Sequence, residues 1–202
     1  MQIVKIVSNF LESNSFVIID NNEFLLIDAG VEVENVKKVV GNAKCDGILL
    51  THGHFDHAIN VVKLSKMFNC KIYASVKAQE TLSDAKKNYG DNFAINDFSN
   101  FVTIGEGNLK LGEFNVNVFS LTGHSQCSLG FLIDGHLFVG DVVFEHGIGR
   151  IDLFGGSKQE MLTSLKKISD MQFEYLHSGH GEDSTKPSQS RNLSTFIRFL
   201  SR

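Results

Sequence analysis

The stretch Thr51-His52-Gly53-His54-Phe55-Asp56-His57 constrains this chain more than any other. It follows a short apolar run, Gly47-Ile48-Leu49-Leu50, with the composition of a buried strand. Residues two apart on an extended segment share a face, so the His52 and His54 imidazoles can reach one ion. Asp56 and His57 come where the chain turns into a helix: Val61, Leu64, Met67 and Phe68 recur at helical spacing from about Ala58 onward. These two side chains can point to a second ion. Neutral imidazole and carboxylate suit Zn²⁺ or iron. The chain holds eight histidines in 202 residues, so three within one hexapeptide argue for metal binding over an incidental polar loop.

Three later positions complete the set. His124 lies in Leu121-Thr122-Gly123-His124-Ser125, Asp141 in Phe138-Val139-Gly140-Asp141, and His180 in His177-Ser178-Gly179-His180-Gly181. Each follows a strand-like run and stands beside glycine, where the backbone turns tightly and presents a side chain. Five His and two Asp are the inventory for two metals sharing one carboxylate. Other chemistry-bearing residues have plainer readings. Cys127 reads as a small buried residue, His136 as solvent-facing in a hairpin, His146 as exposed or capping, His177 as structural and Tyr175 as core. Arg150 suits either a substrate carboxylate or an ion pair with Asp152.

Hairpins punctuate the rest. Phe16–Ile19 and Phe24–Ile27 flank Asp20-Asn21-Asn22-Glu23, Lys110–Val116 contains a Gly112 turn, and Leu132–Leu137 contains Asp134-Gly135. Helices are expected over Val31–Val40, Lys77–Lys87, Ser157–Ile168 with a Ser157/Glu160 capping box, and near the end through Leu193, Phe196, Ile197 and Leu200. Asn88–Asn100 reads as a long loop or a lid-like insertion. Two mixed sheets with helices outside, an α+β arrangement in a single domain over residues 1–202, cover every apolar face. A net charge of −4 disfavours a phosphate-backbone binder, so no nucleic-acid partner is expected. The longest apolar runs are about five residues, against roughly 20 for a membrane helix. Three widely spaced cysteines and no apparent signal peptide fit a reducing, cytoplasmic setting.

With these residues in hand, the chain resembles a metallo-β-lactamase-fold protein nearly end to end. The resemblance implies an αββα sandwich with metals at one edge between the sheets. His52, His54 and His124 would then hold one ion, Asp56, His57 and His180 a second, and Asp141 would bridge them. Asp28, in Ile27-Asp28-Ala29-Gly30, would support the ligands from behind. The stretches Gly147-Ile148-Gly149-Arg150-Ile151-Asp152 and Gly155-Gly156-Ser157 resemble the small glyoxalase II-like hydrolases, and also the related persulfide dioxygenases. Larger glyoxalase II enzymes carry an aromatic residue where this chain has Asp152.

The implied activity is hydrolysis of a small-molecule thioester or ester. Asp56 and Asp141 would be the catalytic carboxylates, Arg150 a substrate-binding residue, and two divalent ions the cofactors, zinc first with iron or manganese as alternatives. A mononuclear iron dioxygenase would need only His52 or His54, His124 and Asp141. A lactonase or β-lactamase is a third reading. Oligomeric state has no signal in the sequence.

Overall fold

The computed structural model describes residues 1–202 as two six-stranded sheets with helices outside. The first sheet takes β1 (Gln2–Val7), β2 (Asn14–Asp20), β3 (Glu23–Ile27), β4 (Lys44–Leu49), β5 (Ile72–Ser75) and β6 (Phe101–Ile104), in that order. β1 to β3 pair antiparallel and β3 to β6 parallel. The parallel steps need crossovers, which α1 (Val33–Val40), α2 (Phe55–Ala58), α3 (Val61–Phe68), α4 (Ala78–Leu82) and α5 (Ala85–Asn88) supply. The second sheet runs β7 (Gly107–Leu111), β8 (Phe114–Ser120), β9 (Leu129–Ile133), β10 (His136–Gly140), β11 (Tyr175–Ser178) and β12 (Ser184–Thr185). Its one parallel pair, β10 with β11, is bridged by α6 (Lys158–Asp170); α7 (Lys186–Leu200) follows β12.

Strand periodicity explains the layers. Along β2 and β3, Phe16, Ile18, Leu25 and Ile27 face the second sheet, while Val17, Phe24 and Leu26 face the helices. Both faces are buried, so these strands read as unbroken apolar runs. Leu129, Phe131, Ile133 and Phe138 meet them from the other side. Leu137 and Val139 turn outward to Leu165 and Ile168 of α6 and Leu193 and Leu200 of α7. No helix is long and apolar enough to cross a membrane.

The hairpin turns fall where the sequence puts them, with Asp134 and Gly112 in the left-handed region. Ser157 caps α6 by accepting from the Glu160 amide at 3.3 Å. Three expectations need correcting. The helix over 77–87 is two short ones, because Asp84 breaks the run and caps α5 through the Lys86 amide. Tyr175 is not core: it is 44% exposed at the start of β11. His136 does not simply face solvent; it stacks on Tyr175 at 4.9 Å and hydrogen-bonds to buried His177 at 2.9 Å. In the 89–100 loop, buried Ile95 and the partly buried Phe93 and Phe98 anchor the segment to the core.

Candidate metal centre

All seven candidate ligands lie at one edge of the sandwich, just beyond strand ends. β4 delivers His52, His54, Asp56 and His57; β8, β10 and β11 deliver His124, Asp141 and His180. Two triads share no member, His52 with His54 and His124, and Asp56 with His57 and His180; a third group, Asp28 with His52 and His57, borrows a histidine from each. In the first, His54 Nδ1 is 3.1 Å from His52 Nε2 and 3.0 Å from His124 Nε2. In the second, His180 Nε2 is 3.4 Å from His57 Nε2 and 3.3 Å from Asp56 Oδ2, with His57 Nε2 to Asp56 Oδ2 at 3.5 Å. Asp141 stands between them, its Oδ2 3.6 Å from His124 Nε2 and 3.5 Å from His180 Nε2.

The backing hydrogen bonds assign the ring protons. Asp28 Oδ2 accepts from His57 Nδ1 at 2.8 Å and from Thr51 Oγ1 at 2.7 Å. A carboxylate only accepts, so a proton sits on His57 Nδ1, and Nε2 faces inward toward Asp56 and His180. Having given its proton to Asp28, Thr51 Oγ1 accepts from His52 Nδ1 at 3.0 Å, which turns the His52 Nε2 lone pair inward as well. His124 Nδ1 donates to the Arg150 carbonyl at 2.9 Å, with the same result. Lone pairs of His52 and His124 thus converge on His54 Nδ1, which can offer a proton to only one of them. His54 Nε2 and Asp141 Oδ1 are buried without a hydrogen-bond partner.

Lone pairs packed this way repel unless a cation lies among them. A tetrahedral Zn²⁺ with bonds of about 2.1 Å would set its ligand atoms roughly 3.4 Å apart, close to the spacings within each triad. The residues present therefore fit divalent ions.

Charge follows the same division. Burial holds His52, His54 and His124 below the ordinary histidine value, His54 at about 3, helped at His52 and His54 by neighbouring imidazoles. Burial also opposes charge in the other triad, but there opposite charges outweigh it. Asp141, Asp56 and Asp28 hold His57 well above its ordinary value, and hydrogen bonds to Asp141 and Asp56 hold His180 at about 9. The same partners keep Asp56 and Asp141 below the usual carboxylate range, against the pull of burial.

Close approach explains two neighbouring glycines. A Cβ at Gly179 would collide with the Asp141 carboxylate and the His57 ring, and one at Gly149 with the Asp141 carbonyl.

The sequence matches the metallo-beta-lactamase superfamily over residues 8–180. The chain belongs to that superfamily. Among similar proteins, hydroxyacylglutathione hydrolase GloC of Haemophilus influenzae is 28% identical over 199 residues, spanning 92% of this chain and 93% of that one. The crystal structure of BLEG-1, a B3 metallo-beta-lactamase, superposes with a TM-score of 0.88 at 27% identity over 96% of this chain and 99% of that one. A structure of TTHA1623 in a di-iron-bound form superposes with a TM-score of 0.81 at 26% identity over 94% of this chain and 98% of that one.

In this metallo-beta-lactamase superfamily member the triads open into a cleft of about 370 Å³. His54, Asp56, His124 and Asp141 form part of its lining. Leu11, Phe55, Tyr89, Phe144, Ile148 and Leu153 supply apolar walls, and Arg150 stands among them. The Arg150 guanidinium pairs with Asp152 through two hydrogen bonds, 2.8 and 3.0 Å, both side chains well exposed. The ion pair that the sequence allowed for Arg150 is thus present, on a residue that also lines the cleft. Cys127 is buried and accepts from the Gly53 amide at 3.3 Å, bracing the turn between His52 and His54. His146 is exposed and His177 buried. Sequence reasoning missed Leu11, Tyr89 and the Arg150 carbonyl. An aromatic residue in the polar run Asn88-Tyr89-Gly90-Asp91 was the one available signal.

Proposed function

We propose that the protein is a cytoplasmic, single-domain hydrolase that uses two divalent ions, zinc first with iron or manganese as alternatives, to cleave a thioester or related small ester. The observation that carries this reading is Asp141, whose Oδ2 lies within 3.6 Å of a histidine from each triad. The name of the Haemophilus relative and the di-iron form of TTHA1623 support it. His52, His54 and His124 would hold one ion, and Asp56, His57 and His180 the other, with Asp141 between them. Bound there, the ions would supply Lewis acidity, acidifying a nucleophilic water and drawing off charge that develops on the carbonyl oxygen.

The chain's own residues do the rest. Asp56 and Asp141, ionised at neutral pH and both on the cleft wall, orient the attacking water. The apolar walls exclude bulk water from the carbonyl. A thioester suits a site with no serine or cysteine nucleophile, because its thiolate leaves readily.

Metal analysis of the purified protein alongside hydrolysis of S-lactoylglutathione and of simple thioesters tests this. Two ions per chain are expected, with activity lost on chelation and restored by Zn²⁺ or Mn²⁺. One iron per chain, with activity restored only by Fe²⁺ and oxygen consumed, would replace the hydrolase with a dioxygenase acting on a persulfide.

A further inference from the structure

The cleft walls say what kind of molecule fits beside the reacting bond. Six of the twelve lining residues are apolar or aromatic, and they come from separate segments. Leu11 sits on the β1–β2 loop, with φ of 54° at Leu11 and 53° at Glu12. The adjoining Phe10 packs edge-on against Phe55 at 5.2 Å. This loop is therefore pinned over the opening, although Leu11 remains 59% exposed.

Tyr89 lines the same cleft from the end of α5. Its ring meets the His54 imidazole edge-on at 5.3 Å, and its hydroxyl accepts from the Phe154 amide. Tyr89 itself takes a φ of 63°, a conformation an aromatic residue adopts only when its surroundings impose it. Lys87 lies over the Phe154 ring at 4.8 Å and strengthens the same clasp. Tyr89 is thus fastened on the cleft wall, and the residue as a whole remains 42% exposed.

Charge points the same way. Arg150 is the single Lys or Arg among the lining residues, and Asp152 neutralises it. An exposed pair of this kind is weakly held, so arginine could let go. An incoming carboxylate would still meet the Asp152 charge beside it, so the pair as a unit adds nothing for an anion to the pull of the ions themselves.

Resting on the hydrolase reading above, we infer that the substrate is a neutral thioester or ester whose acyl or leaving group is an apolar body lying between Leu11 and Tyr89. Tyr89 is the specificity-determining residue. A peptide-like anionic thiol such as glutathione is discriminated against.

The test compares kcat/KM of the metal-loaded protein on thioesters sharing one acyl group but differing in thiol, neutral N-acetylcysteamine or glutathione, and on a short acyl series of rising length. At least a tenfold preference for the neutral thiol, and a rise with acyl length, are expected. Tyr89→Ala should lower kcat/KM on the longest acyl chain about tenfold, with Tyr89→Phe restoring most of it. Asp152→Asn should raise activity on the glutathione thioester several-fold. A second readout needs no turnover: binding of a neutral S-alkyl thioether, against the matching S-alkyl glutathione, measured by calorimetry. Hydrolysis that favours the glutathione thioester, or thioether binding indifferent to Tyr89→Ala, overturns the inference and leaves the hydrolase reading standing. If no thioester or ester is cleaved while the neutral thioether still binds selectively through Tyr89, the hydrolase reading fails and the cleft's preference survives. Loss of both defeats both.

Discussion

His52, His54 and His124 are all imidazole, and burial holds each of them neutral. Asp56, His57 and His180 mix the two signs, and there a cation and its carboxylates hold one another charged. The first group carries no proton that a metal would have to displace from a carboxylate, and it is held by packing and by the hydrogen bonds of His52 to Thr51 and of His124 to the Arg150 carbonyl. The second is held by protons that a metal must displace. One edge of one fold therefore holds two neighbouring groups of side chains in opposite electrostatic states, and each can be disturbed separately.

The largest expected effect follows from the first group. His54→Ala takes away the nitrogen on which two other lone pairs converge. Turnover should fall below detection while, with metal removed from both, circular dichroism and the melting transition stay near those of the parent. An active variant would overturn the ligand assignment.

Next come the residues behind the ligands. Asp28 supports His57 directly and His52 through Thr51, so it serves both groups. Asp28→Ala should weaken metal affinity or activity about 10–100-fold, the usual cost of removing such a partner. Thr51→Val should cost less and weaken one ion only. Metal titration of both variants separates the groups, and equal losses at the two ions in Thr51→Val would contradict the division.

The smallest effect is in the pH dependence of the chelated protein. A free histidine titrates near 6.5. His54, at about 3 when folded, should cost stability as pH falls below about 6.5, because the unfolded chain takes up a proton that the folded one refuses. His180, at about 9 when folded, contributes stability that is fully present below about 6.5 and lost as pH rises through 9. His57 acts with the same sign as His180. Melting temperatures of the chelated protein should thus fall on both sides of neutrality. His180→Asn should flatten the alkaline limb and His54→Gln the acid one. Loading with metal should flatten the alkaline limb, since the ion takes the protons' place.

Much of this was legible beforehand for physical reasons. Ligands crowded into Thr51–His57 report one turn, and strands buried on both faces report themselves as runs such as Phe24–Ile27. The convergence of His124, Asp141 and His180 on that turn could be reached by resemblance, because no local pattern encodes contacts across dozens of residues. The cleft walls were harder still. Leu11 and Tyr89 sit in loops whose conformation is imposed by distant partners, Phe55 and the Phe154 amide, so neither periodicity nor propensity marks them. Tyr175 misled because an aromatic residue opening a strand looks like core, whereas its place there leaves it beside His136 near the surface.

Each triad draws ligands from both sheets: β4 of the first supplies two members, and the loop beyond β8 or β11 of the second supplies the third. An ion seated in either triad would act as a rivet through the sandwich. Prying the layers apart at that end would then mean tearing out metal, so the rate at which the loaded chain opens to proteases should track its metal content more closely than the size of its apolar core.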